Sequence, residues 1–193
     1  MLVIGNGESR KDINLENYYD IKIGCNAIHR DYYVDHLICV DRRMAQEAID
    51  ANLKRTQIYT RKDWISWFPQ GVTTVPDLPY KGTQTPDEPM QWGSGPYAVL
   101  LASRLCYEFN QPVRLIGFDL YSDTTTVNNI YKDSINYDAN DKRPVNPKYW
   151  IYQIGKIFEN FTQTQFKIYN KIGWILPKEW QLPNVSLDNV NTF

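Results

Sequence analysis

Short apolar runs recur along this chain, and each stops at a small or polar residue. Leu2, Val3 and Ile4 give way to Gly5-Asn6-Gly7, and residues 21–23 give way to Gly24-Cys25-Asn26. Residues 37–40 end at Asp41, and "VRLIGFDLY" (residues 113–121) carries Gly117-Phe118-Asp119. Residues 57–59, 71–75 and 166–170 complete the set of expected strands. Their apolar character is continuous rather than alternating, as burial on both faces of a parallel sheet requires.

Three segments carry a helical period instead. Residues 42–53 place Met44, Ala45, Ala48, Ile49 and Leu53 on one stripe. Residues 95–109 form the clearest helix: Ser94 is positioned to cap it and Pro96 suits its first turn. Its apolar surface is so broad that burial is expected on most sides. Residues 148–161 follow a break between Pro144 and Pro147. Strands alternating with helices predict an α/β fold with a mostly parallel sheet flanked by helices.

Two stretches resist both periods. Residues 76–96 hold five prolines and three glycines, and residues 122–147 are rich in Asn and Asp. The second follows the strongest strand, so it reads as a lid over the carboxyl edge of the sheet or as a surface excursion. Residues 177–193 show no periodicity and read as an arm beside a single domain of residues 1–176. In "DWISWF", Trp64, Trp67 and Phe68 are spaced as the core face of a helix.

Composition narrows the function classes. The formal net charge is −1 and no dense Lys/Arg run occurs, such pairs as Arg42-Arg43 being isolated, so electrostatic attraction to nucleic acid is not supported. No run is long and apolar enough to span a bilayer, and polar residues follow Ile4 at once, unlike a signal peptide. Cys25, Cys39 and Cys106 are odd in number and form no CxxC pair. Buried, reduced thiols and a cytoplasmic location are the expectation. Aromatic residues reach 14%, which suits either a ring-filled core or stacking and interface surfaces, a homo-oligomer included.

The polar residues at the strand ends are the candidate chemistry. In an open α/β sheet, ligands sit beyond the carboxyl ends of the strands. Glycine permits sharp turns and close backbone approach, while Asn6 and Asn26 each offer amide donors and an acceptor. Ser9 adds a hydroxyl. "GNGESR" is not a dinucleotide fingerprint, because Arg10 stands where the third glycine belongs. No lysine-containing phosphate loop and no G-x-S-x-G occurs. "HRDYYVDH", with His29, Asp31, Asp35 and His36, lacks metal-ligand spacing, so no metal is expected.

"VIGNGESR", "IGCNAIHRD" and "GSGPYAVLLASRLCYEFNQPVRLIGFDLY", in that order, resemble the bacterial sialyltransferase-like glycosyltransferases of the family-42 type. Motility-accessory and pterin-diphosphokinase-like domains share parts of the pattern. Members of the family look like GNGPS at the first turn, CN at the second strand end, then SG[VP]Y, a helix, a strand and GxDxY. The resemblance implies a Rossmann-like sheet holding a CMP-type nucleotide sugar as donor substrate, with an unknown acceptor and no separate cofactor. It assigns nucleotide contacts to Gly5, Asn6, Gly7, Ser9, Asn26, Ser94 and Gly95. It gives Asp119 and Tyr121 catalytic roles, Tyr121 steadying the leaving phosphate. Tyr131 is the candidate for a second phosphate-facing tyrosine. Two departures stand out: Glu8 replaces the family's proline, and the family's downstream histidine base is missing. Asp123, Asp133 and Asp138 are the carboxylates available in its place. Two functions therefore stay open, a glycosyltransferase and a catalytically inactive binding or assembly module.

Overall fold

A computed structural model describes residues 1–68, 70–109, 111–120, 126–139 and 141–193. Among these residues one eight-stranded sheet forms, with every neighbouring pair parallel. Its strands are β1 (Leu2–Ile4), β2 (Lys22–Cys25), β3 (His36–Ile38), β4 (Gln57–Thr60) and β5 (Val72–Thr74), then β6 (Val113–Ile116), β7 (Phe166–Asn170) and β8 (Val185–Asn189). Their order across the sheet is β5-β4-β3-β2-β1-β6-β7-β8. The chain walks outward from β1 to one edge, returns to the far side of β1, and walks outward again. The winding reverses between β1 and β6, which is where open α/β sheets keep their ligand crevice. The α/β, Rossmann-like architecture expected from the sequence is the one that forms.

Strand residues feed two cores by turns. Met1 and Val3 pack with Ile23, Ile38, Val113, Leu115, Phe166 and Ile168 on one face. Leu2 and Ile4 pack with Leu37, Cys39, Ile58 and Ile116 on the other. The first face is covered by α2 (Ser94–Phe109) and α3 (Lys148–Asn160). The second is covered by α1 (Arg42–Asp50), short 3-10 turns and part of the long loop before α3. Every residue from Pro96 to Ser103 is buried, in accord with the broad apolar surface of that helix. No helix among the described residues is long and apolar enough to cross a membrane.

The sequence pattern differs from the structure in three places. β6 stops at Ile116, short of residue 121, because Gly117 (φ +73°) and Leu120 (φ +61°) turn the backbone into the left-handed region. The tail contributes β8, which pairs along its whole length with β7. Residues 62–67 form a 3-10 helix, and of the expected core face Phe68 is buried and Trp64 packs against the core, whereas Trp67 is 60% exposed.

Candidate nucleotide cleft

The turn after β1 is shaped by the turn after β6. Gly5 N–H donates to the Ile116 carbonyl at 2.8 Å, and Gly7 N–H donates to the Gly117 carbonyl at 2.9 Å. The two backbones run so close that a Cβ on Gly5 would overlap the Gly117 carbonyl. A Cβ on Gly117 would lie 2.7 Å from the Gly5 carbonyl oxygen. A Cβ on Gly7 would strike the Asp119 carboxylate. Both glycines of "GNG" are therefore explained by protein packing. Ser9 completes the junction: its N–H donates to Asp119 Oδ2 at 2.8 Å and its hydroxyl donates to Asp119 Oδ1. Both residues are 6% exposed.

The turn after β2 is built differently. Asn26 sits at φ +53°, a left-handed geometry that asparagine tolerates better than most side chains. Its Oδ1 accepts from the Ser94 hydroxyl at 2.8 Å. Ser94 Oγ in turn accepts from Val40 N–H at 3.1 Å. The carboxyl ends of β2 and β3 and the first turn of α2 are thus tied through one hydroxyl. The amino terminus of a 16-residue helix, where N–H groups lack partners within the helix, faces the crevice.

The loop before α3 roofs this edge. Ile130 N–H donates to the Asn6 carbonyl at 2.9 Å, and Glu8 N–H donates to Asn128 Oδ1 at 2.8 Å. Lys132 pairs with Glu8 at 2.6 Å, so the Glu8 carboxylate is neutralised outside the cleft. Further along, Arg30 makes two bonds to Glu47 and donates to Ser134 Oγ at 2.7 Å. Asn136 donates to the same Glu47 at 2.8 Å. Arg30 and Asn136 together hold the Glu47 carboxyl below its usual range.

Between roof and sheet lies a cleft of about 400 Å³. It is lined by Gly5, Asn6 and Gly7, by Cys25 and Asn26, by Gly93 to Pro96 on α2, by Gly117 to Leu120, and by the roof. Asn6 donates from Nδ2 to the Tyr137 hydroxyl at 2.8 Å, while its Oδ1 is buried without a partner among the described residues. A buried acceptor left unmatched costs about 1–3 kcal/mol, so the site has a standing demand for a donor.

The chain matches no family model, no curated protein and no solved structure.

Gly5, Asn6, Gly7, Asn26, Ser94, Gly95 and Asp119 converge on the cleft. Ser9 does not line it, being turned inward onto Asp119, whose two oxygens it occupies. Tyr121 and Asp123 lie outside the described residues. Tyr131 is buried away from the cleft, where it accepts from Arg10 at 3.2 Å and donates to Asp31 at 2.6 Å. Tyr137, absent from the sequence reading, lines the cleft instead, and burial pushes its phenol above its usual range. Asp41 and Asp138 also line it; Asp138 is exposed, whereas Asp133 is not part of the lining.

Neither histidine lines the cleft. His29 donates from Nδ1–H to the Asn26 carbonyl, 2.9 Å away, with its other nitrogen 3.5 Å from Glu47. His36 opens β3 at the amino edge, and burial lowers its pKa. The three thiols are free and buried. Burial pushes the Cys25 thiol up to about 12, so at neutral pH it is a protonated wall of the cleft rather than a nucleophile. No trio of His, Cys, Asp or Glu among the described residues is grouped to hold a metal ion.

Proposed function

We propose that the cleft binds a nucleotide sugar of the CMP type and that the chain is a glycosyltransferase-like protein. One observation carries the reading. At the point of winding reversal, the side-chain amides of Asn6 and Asn26 flank the amino terminus of α2, and one buried amide oxygen there lacks a partner among the described residues. The helix end carries a partial positive charge of about half a unit, suited to a phosphate. The amides suit the edge of a base, since each can donate and accept.

The charge of the lining favours a single phosphate over a diphosphate. Among the described residues it contains Asp41, Asp119 and Asp138 and no Lys or Arg. The cation behind it, Arg10, is 2% exposed and donates to the Gly5 carbonyl at 2.6 Å. Each added negative charge on the ligand meets these carboxylates without a cationic side chain to offset it. Asp41 and Asp138 are the exposed carboxylates of the lining, and Asp138, which does not share Asp41's contact with Arg43, is available as a base toward an acceptor hydroxyl.

Calorimetric titration with CMP, CDP, UDP and GDP tests binding. CMP is expected to bind at about 1 mM or tighter and ahead of the diphosphates. Silence with all four would overturn the reading. Release of CMP from a CMP-linked sugar, lost in Asp138→Asn, tests turnover. A second reading, a binding module without catalysis, is favoured by the histidine-free lining and by the engagement of Asp119 with Ser9. CMP binding without release or transfer would assign it.

A further inference from the structure

A second concavity, an open groove of about 510 Å³, lies on the outer face of α1. Arg42, Gln46 and Asp50 enter it from successive turns of the helix, Trp67 and Phe68 from the following 3-10 segment, and Asn136 from the roof loop. Its charges are nearly all satisfied. Arg43 lies 3.5 Å from Asp41, Glu47 is held by Arg30 and Asn136, and Asp50 accepts from Gln46 at 2.8 Å.

Arg42 is the exception. It has no carboxylate within ion-pair distance among the described residues; instead its guanidinium lies 4.4 Å over the Trp67 ring and 5.7 Å from the Trp64 ring. Trp64 is anchored by its indole N–H to the Val40 carbonyl at 3.1 Å. Stacking on fixed rings holds the guanidinium fork in one plane, ready for bidentate pairing with an oxyanion. Trp67 remains 60% exposed beneath it, a large apolar face that the fold leaves uncovered.

We infer that this groove binds a saccharide bearing one carboxylate, with the carboxylate on Arg42, the sugar ring against Trp67, and hydroxyls toward Gln46, Asp50 and Asn136. One unpaired cation fits one anionic group. The neighbouring Glu47 and Asp50 carboxylates oppose a polyanion such as a nucleic acid strand. A wall of amide and carboxylate groups suits hydroxyls, which both donate and accept, better than an aliphatic body. The inference does not depend on what the cleft binds. Asp41 lines the cleft and Arg42 the groove, so the two sites adjoin at the start of α1.

The test is an NMR titration of the whole chain, reading its indole N–H signals. Methyl β-D-glucuronide and methyl β-D-glucoside are the probes, since they differ at the carboxylate alone. The glucuronide is expected to move the Trp67 signal saturably and to bind about tenfold tighter than the glucoside. Arg42→Lys is expected to erase most of that preference, because an ammonium lacks the fork. Trp67→Ala, followed at the Trp64 indole N–H, is expected to abolish binding of both sugars. Both side chains are exposed, so the variants keep the fold, and an unchanged CMP titration separates this site from the cleft. Equal affinity for the two sugars, no saturation by about 50 mM, or undiminished glucuronide affinity in Trp67→Ala would each overturn the inference.

Discussion

After β1 the chain turns through Gly5-Asn6-Gly7, and after β2 it turns through Cys25-Asn26. Both turns look alike in sequence, small and polar after an apolar run. In the first, both glycines are consumed by the close passage of Gly117 and by the Asp119 carboxylate. In the second, an asparagine is held left-handed by a serine hydroxyl at the mouth of a helix. The first turn is a structural junction with one cleft-lining amide, Asn6, mounted on it. The second is packed as well, Gly24 lying against Ile28 and Val34, but its asparagine side chain stands in the cleft beside Ser94. A glycine after a strand thus says that something passes close by, and only the neighbouring strand tells whether that is protein or ligand.

The comparison is most easily broken at the first turn. Gly117→Ala combines a positive φ with a contact at 2.7 Å, and a loss of about 3 kcal/mol in urea unfolding is expected. Asp119→Ala strips Ser9 of both partners and is expected to cost about 2 kcal/mol. Stability unchanged in either variant would show that the junction is not what fixes this turn.

At the second turn the expected effect moves from stability to binding. Asn26→Gly keeps the left-handed backbone and removes the amide, so unfolding should shift by less than about 1 kcal/mol. CMP affinity should fall about tenfold. A variant that unfolds as readily as Gly117→Ala would erase the distinction between the two turns.

The smallest effect concerns the roof. The Glu47 carboxyl is held below its ordinary 4.5 by Arg30 and Asn136. A depressed carboxyl contributes stability that is present above the unfolded value and lost as pH falls through the folded one. Wild type should therefore lose stability below about pH 4.5, and Glu47→Gln should flatten that part of the curve. Identical slopes in the two proteins would remove Glu47 from the roof's latch.

How much of this was legible beforehand follows the physics of each element. β1 and β7 match the expected runs residue for residue, because every residue of β1 and all but Lys167 of β7 are buried. β8 was missed because it is an edge strand whose Ser186 and Leu187 are exposed, leaving no apolar period. The aromatic run was legible in part: Phe68 and Trp64 meet the core, but spacing alone does not tell an α-helix from the 3-10 turn that leaves Trp67 exposed. Asn26, Ser94 and Gly95 were readable as cleft residues from their place at strand ends and a helix start. The inward turn of Ser9 was not, since its partner Asp119 is 110 positions away and nothing local marks the pair. Tyr137 was hidden for the same reason: a polar loop carries no period to say which ring turns inward.

Calorimetric titration of CMP into wild type and Asn26→Gly side by side tests the central claim most directly. The account predicts saturable binding to wild type, about tenfold weaker binding to the variant, and unfolding free energies within about 1 kcal/mol of each other. Absent binding to wild type, or equal affinity in the two proteins, would contradict it.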